Sequence, residues 1–171
     1  MTELPQTELL YSVFSCYLLA TLFYLCQLKF KSVRLLKIAF TLVCIGFGLQ
    51  TGLLALRWIV AGYLPVTNLF ATQFFFSWAL AATYLYFELR YRIHAAGLFV
   101  IFCTLLLLGS FMHRSPKLPP LIPMLDTPLF TLHVSLSFIG YAFFAMAFSL
   151  GVLYLLQQRL QTELLPPLAL L

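Results

Sequence analysis

Charge is what this chain has least of. Only 9% of its 171 residues are Asp, Glu, Lys or Arg, and just five are acidic. Soluble domains carry about 25% charged residues, so a water-facing surface cannot be built from this list. Further absences narrow the chemistry. The chain has no phosphate-cradling glycine loop, no HExxH pair and no serine nucleophile elbow, which argues against a self-contained hydrolase or ATPase. Its apolar segments hold almost no acid, with Glu88 near a boundary as the one candidate, whereas a proton-coupled carrier normally needs more. Cys16, Cys26, Cys44 and Cys103 lie inside apolar runs with neither CxxC nor metal-ligand spacing, so they read as small buried hydrophobes. No internal repeat and no low-complexity linker breaks the chain.

What is abundant is apolar side chain, at 63% of residues. A helix needs about 20 apolar residues to cross a hydrocarbon core about 30 Å thick. Five runs qualify, near residues 9–28, 36–60, 66–87, 93–112 and 129–156. The fold class is therefore all-α, a polytopic membrane protein of about five transmembrane helices, with residues 1–171 forming a single helical domain. Glu3 and Glu8 precede the first run and Lys29, Lys31, Arg34 and Lys37 follow it. That order suits a retained helix rather than a cleaved signal peptide. Alternating spans put seven basic residues in cytoplasmic loops and leave Arg57, Arg114 and Lys117 outside, which predicts an N-out/C-in orientation. The formal charge of +5 is thus used in orienting the chain, and no basic groove for nucleic acid is visible.

Two outer connections follow from this orientation. "RWIVAGYLPVTNL" (57–69) is short, with Trp58 and Tyr63 as amphipathic rings suited to the interface. "HRSPKLPPLIPMLDTP" (113–128) carries five prolines, which favour extended backbone and predict a stiff outer strap. About one turn into the fifth helix comes His133, an ionisable group where such groups are costly and usually face an interior or a cavity. Ser137, Gly140, Tyr141 and Phe144 follow at offsets of four, seven, eight and eleven, placing all five on one helical stripe. Such a stripe could accept a flat aromatic ligand whose metal is held by the imidazole. A buried interhelical hydrogen bond explains the same histidine equally simply. His113, at the outer exit of helix four, and His94, at the cytoplasmic edge beside Arg92, are weaker candidates. Arg57 either pairs with a carboxylate at the outer interface or snorkels to the headgroups. "GFGLQTG" (46–52) offers Gly48 and Gly52 at the spacing that permits close helix contact in lipid.

Two stretches carry a family likeness. "RWIVAGYLPVTNLFATQFFFSW" (57–78) and "PLFTLHVSLSFIGYAFFAMAFSLGVLYLL" (128–156) resemble the CcsA family, also called ResC or CcsB, the haem-handling membrane subunits of system II cytochrome c maturation. Tyr63, Phe70 and Ala71 depart from the family's usual histidine, tyrosine and glutamate. The resemblance implies a protein that exports haem b and presents it at the outer face for covalent attachment to apocytochrome c. In it His133 is an axial ligand to the haem iron, with Arg57, Ser137 and Tyr141 as further haem-binding residues and Arg57 facing a propionate. It also implies a ResB-like (Ccs1) membrane partner, and a bacterial inner (cytoplasmic) or thylakoid membrane as the location. The family's tryptophan-rich outer loop and second outer histidine are not reached by Leu171, so the resemblance implies an amino-terminal portion that is not expected to be an active synthetase alone. A HemX-like or other structural subunit without haem chemistry, or a small-molecule carrier, is the alternative.

Overall fold

In the computed structural model, residues 3–112 and 127–160 are described, and they form five helices: α1 Glu3–Phe30, α2 Val33–Ala61, α3 Leu69–Tyr91, α4 His94–Phe111 and α5 Pro128–Leu160. All five expected segments are present. The proline-rich connection up to residue 126, with His113, Arg114 and Lys117, lies outside the described residues.

The boundaries follow local chemistry. At the end of α2, Gly62 takes the left-handed conformation (φ 75°) and its N–H donates to the Trp58 carbonyl at 2.9 Å, a stop that glycine makes without steric cost. Expected at residue 66, α3 instead begins at Leu69, because Asn68 caps it by accepting from the Ala71 N–H at 2.8 Å. It ends at Arg92, also left-handed at φ 55°. The Thr127 hydroxyl accepts from the Phe130 N–H at 3.2 Å and Pro128 occupies the first turn of α5, the position where its missing donor costs nothing.

Four helices, α1, α2, α4 and α5, are long and apolar enough to cross a membrane. α3 differs. At 23 residues it is about 34 Å long, but Thr72, Gln73, Ser77, Thr83 and Glu88 dilute its apolar character. Those polar groups are accommodated because α3 packs against α2, α4 and α5 and buries Ser77, Thr83 and Glu88 in the bundle. α5 is the least wrapped, with only 17% of its apolar window buried.

Polar cross-links tie the bundle together. The Tyr17 hydroxyl donates to Gln50 Oε1 at 2.8 Å, and Gln50 Nε2 donates to Ser77 Oγ at 2.8 Å and more weakly to the Phe74 carbonyl at 3.3 Å. Trp78 Nε1 donates to Thr51 Oγ1 at 2.9 Å. Each such bond contributes about 0.6 kcal/mol in a membrane, and together they set the relative register of α1, α2 and α3.

Close backbone approach occurs at glycines other than those the sequence suggested. Gly48 and Gly52 face open space, whereas a Cβ on Gly46 would lie 3.0 Å from the Tyr17 ring and one on Gly97 would lie 2.5 Å from the Tyr84 hydroxyl. Spacing alone does not say which side of a helix meets a neighbour. The cysteines also need correction, since Cys26 and Cys44 are exposed and Cys16 and Cys103 half-buried. Thiols are apolar enough to sit on a lipid-facing surface, so apolar context in the sequence did not imply an interior position.

Candidate functional site

The 62–68 connection and the first turns of α5 line the same grooves. Leu64, Pro65 and Val66 are buried there, and the Val66 N–H closes a tight turn on the Leu64 carbonyl at 2.9 Å. Below this turn, Phe138 anchors α5 against α3 through Phe75 and Phe76, with ring centroids 6.2 and 5.5 Å away. Between the turn and this anchor a groove of about 330 Å³ opens, bounded by Val66, Thr72, Phe130, His133, Val134, Ser137, Phe138 and Tyr141.

Three of the four expected haem-binding residues therefore share one groove: His133, Ser137 and Tyr141. The Ser137 hydroxyl donates to the His133 carbonyl at 2.7 Å, so its proton is committed to the helix backbone. The Tyr141 ring packs edge-on against Phe138 at 6.2 Å while remaining 55% exposed. His133 itself is exposed, and among the described residues its imidazole makes no hydrogen bond or ion pair. An interhelical hydrogen bond from a buried histidine is thus not what the described residues form. Gly140 faces open space and Phe144 is 71% exposed, so the stripe runs along the outward face of α5.

Arg57 is elsewhere. It is 1% exposed, its Nη1 donates to Gln6 Oε1 at 2.9 Å, and its guanidinium lies 4.9 Å from the Phe70 ring centroid. Snorkelling toward headgroups is overturned, because the guanidinium turns inward to α1 and onto an aromatic face, where its flat, weakly hydrated surface stacks well. Arg57 lines neither the His133 groove nor the neighbouring one of about 460 Å³ on the other flank of α5, formed by Trp58, Tyr63, Thr67, Thr131 and Ser135 among others.

Among the described residues no three His, Cys, Asp or Glu side chains converge on a point. A bare ion would lack ligands here. A single free imidazole instead suits a metal that arrives with most of its coordination sphere already filled, which is the case for a metallated macrocycle.

The family model for the cytochrome c assembly protein matches residues 66–168. The chain belongs to the cytochrome c assembly protein family. His133, Ser137 and Tyr141 fall inside the matched stretch and Arg57 outside it. Among curated members and relatives, the cytochrome c biogenesis protein CcsA of Trieres chinensis is 34% identical over 113 residues, covering 64% of this chain and 36% of that protein. CcsA of Cyanophora paradoxa is 31% identical over 148 residues, covering 83% and 46%. The HemX protein of Brevibacillus brevis is 27% identical over 146 residues, covering 84% and 53%. The chain thus spans between about a third and a half of the length of these relatives. No solved structure matches it.

At the opposite end of the bundle lies a cluster that sequence reasoning underweighted. Buried Glu88 contacts His94 Nδ1, and beside it on α3 the Tyr84 hydroxyl meets that of Tyr24 at 2.6 Å. Tyr84 and Glu88 are one helical turn apart, a legible spacing, but Tyr24 and His94 join them only through folding.

Proposed function

We propose that this chain serves cytochrome c assembly by holding haem at the outer face of its membrane, with His133 as one axial ligand to the iron. The observation that supports this most is the His133 imidazole, uncommitted among the described residues and set at the rim of a groove walled by Phe130, Phe138 and Tyr141. A neutral ring nitrogen is a good iron ligand, and aromatic walls suit a flat apolar macrocycle. Haem is cargo here: as haem b it brings the iron and the vinyl groups to which the thiols of apocytochrome c add. The residues of the chain position it. His133 fixes the iron, Tyr141 and Phe138 bear on the ring, and Thr72 and Ser137 offer hydroxyl oxygens at the groove edge. Arg57 frames the outer end through α1 and α3 without touching the cargo.

One imidazole fills one axial position, so the second ligand comes from other residues or from a ResB-like (Ccs1) partner. N-out/C-in insertion in a bacterial inner (cytoplasmic) or thylakoid membrane puts the groove on the side where cytochromes c are completed. The test is absorption of the full chain purified from haem-replete cells. A Soret band lost in His133→Ala and restored by added imidazole is the expected result, and an unchanged band in His133→Ala refutes ligation. A second reading, a HemX-like subunit without this ligation, draws on the Brevibacillus brevis match, which covers more of both chains than the Trieres chinensis match does.

A further inference from the structure

A second cleft, of about 360 Å³, opens at the end of the bundle remote from His133, where α2 begins, α3 ends and α4 begins. Three kinds of surface meet in it. Leu36, Phe40 and Leu89 form apolar walls, Lys37 and Arg92 stand exposed among them, and Glu88 and His94 complete the lining. Glu88 is 5% exposed. One of its carboxylate oxygens contacts His94 Nδ1, while Oε2 is buried and accepts no hydrogen bond among the described residues. A buried carboxylate oxygen without a donor is costly, so the missing partner is a hydrogen-bond donor. The exposed cations ask for the opposite, an acceptor of negative charge. α4 adds to this demand, since its first turn holds no acidic residue and Ile93 supplies no capping side chain, leaving N–H groups that favour an anion.

A ligand meeting all of these demands at once carries an anionic phosphate, a primary ammonium a few atoms away and an apolar tail. We propose that this cleft binds phosphatidylethanolamine: the phosphate between Lys37 and Arg92, the ammonium donating to Glu88 Oε2, and the acyl chains leaving along Leu36, Phe40 and Leu89 into the bilayer. The location agrees, because this end of α2 and α3 is the level at which apolar helix gives way to charged residues. His94 acts as a positioning residue, holding the other oxygen of Glu88 and leaving Oε2 for the ligand. Phosphatidylglycerol lacks the ammonium, and the quaternary ammonium of phosphatidylcholine has no N–H to donate.

The test is native mass spectrometry of the full chain released from detergent micelles containing equal amounts of phosphatidylethanolamine, phosphatidylcholine and phosphatidylglycerol. Retention of phosphatidylethanolamine about tenfold over phosphatidylcholine is expected, the size of one charge-assisted hydrogen bond. Glu88→Gln should reduce that preference to about twofold or less, and the paired change Lys37→Gln with Arg92→Gln should weaken retention of all phosphate-bearing lipids. If Glu88→Gln fails to fold, N-methylation of the headgroup decides the matter on the unaltered protein: retention should fall steeply only at the trimethyl step, which removes the last N–H. Equal retention of ethanolamine and choline lipids, or a preference for phosphatidylglycerol, overturns the proposal. So does displacement of the lipid by equimolar glycerophosphoethanolamine, which would make the apolar walls irrelevant.

Discussion

Gly97→Ala adds one methyl group at the point where three helices meet, and the structure sets its cost. The new Cβ would lie 2.5 Å from the Tyr84 hydroxyl oxygen, 2.8 Å from Tyr84 Cζ and 2.9 Å from Tyr24 Cζ. Neither tyrosine has room to withdraw. Tyr84 is fully buried, Tyr24 is 2% exposed, their hydroxyls are 2.6 Å apart and their rings pack edge to face at 6.4 Å. Overpacking a rigid core costs about 1–3 kcal/mol, and forcing the hydroxyls apart forfeits about 1 kcal/mol more, so a loss of about 2–4 kcal/mol is expected. Gly48→Ala is the control: its Cβ would meet nothing within 4 Å, and the gain in helix propensity is up to about 1 kcal/mol. Two identical chemical changes on helices of one bundle should therefore move stability in opposite directions. Reversible unfolding in mixed detergent micelles, followed by far-UV circular dichroism, measures both. Combining Gly97→Ala with Tyr84→Phe removes the atom in closest conflict, so the double variant should recover about 1 kcal/mol or more relative to additivity. Gly97→Ala within about 0.5 kcal/mol of the parent, or no coupling to Tyr84→Phe, would refute the packing described at this junction.

Arg57→Gln should destabilise the fold by about 3 kcal/mol or more, because it dismantles a buried polar contact and an aromatic stack. The fraction that folds should keep the parent Soret band, and loss of the band without loss of stability would return Arg57 to the cargo. Orientation is open to cysteine labelling: in a background free of native cysteines, Ser32→Cys should react with an impermeant maleimide only from the cytoplasmic side and Thr67→Cys only from the outer side. The reverse pattern inverts the molecule and places the His133 groove on the wrong face.

Much of the architecture is legible in one dimension because crossing a bilayer imposes length and apolarity on each segment. The five runs depend on neighbours along the chain and appear as the five helices, and the family likeness read at 57–78 and 128–156 is matched by the family model over residues 66–168. The His133, Ser137 and Tyr141 stripe was readable for the same reason, since a helix converts spacing of four into a shared face. What failed were the inferences about which side of a helix Arg57, the glycines and the cysteines occupy. Arg57 appeared to be an interfacial residue and is buried against Gln6 and Phe70. Gly48 and Gly52 looked like a packing motif and face outward, while Gly46 and Gly97 carry the close approaches.

The reason is physical. In a lipid solvent the outside of a helix is as apolar as the inside, so the polar and apolar periodicity that marks the core of a soluble protein is nearly absent here. Composition and helical spacing were enough to settle that the chain is a helical membrane bundle, where its helices lie and that His133, Ser137 and Tyr141 share one stripe. Only the assembled bundle decided that Arg57 stands apart from them, that the His133 imidazole meets no partner among the described residues, and that Glu88, His94, Lys37 and Arg92 converge at the far end. Those facts depend on contacts between helices that are distant in sequence, and nothing in the local pattern encodes which faces will meet.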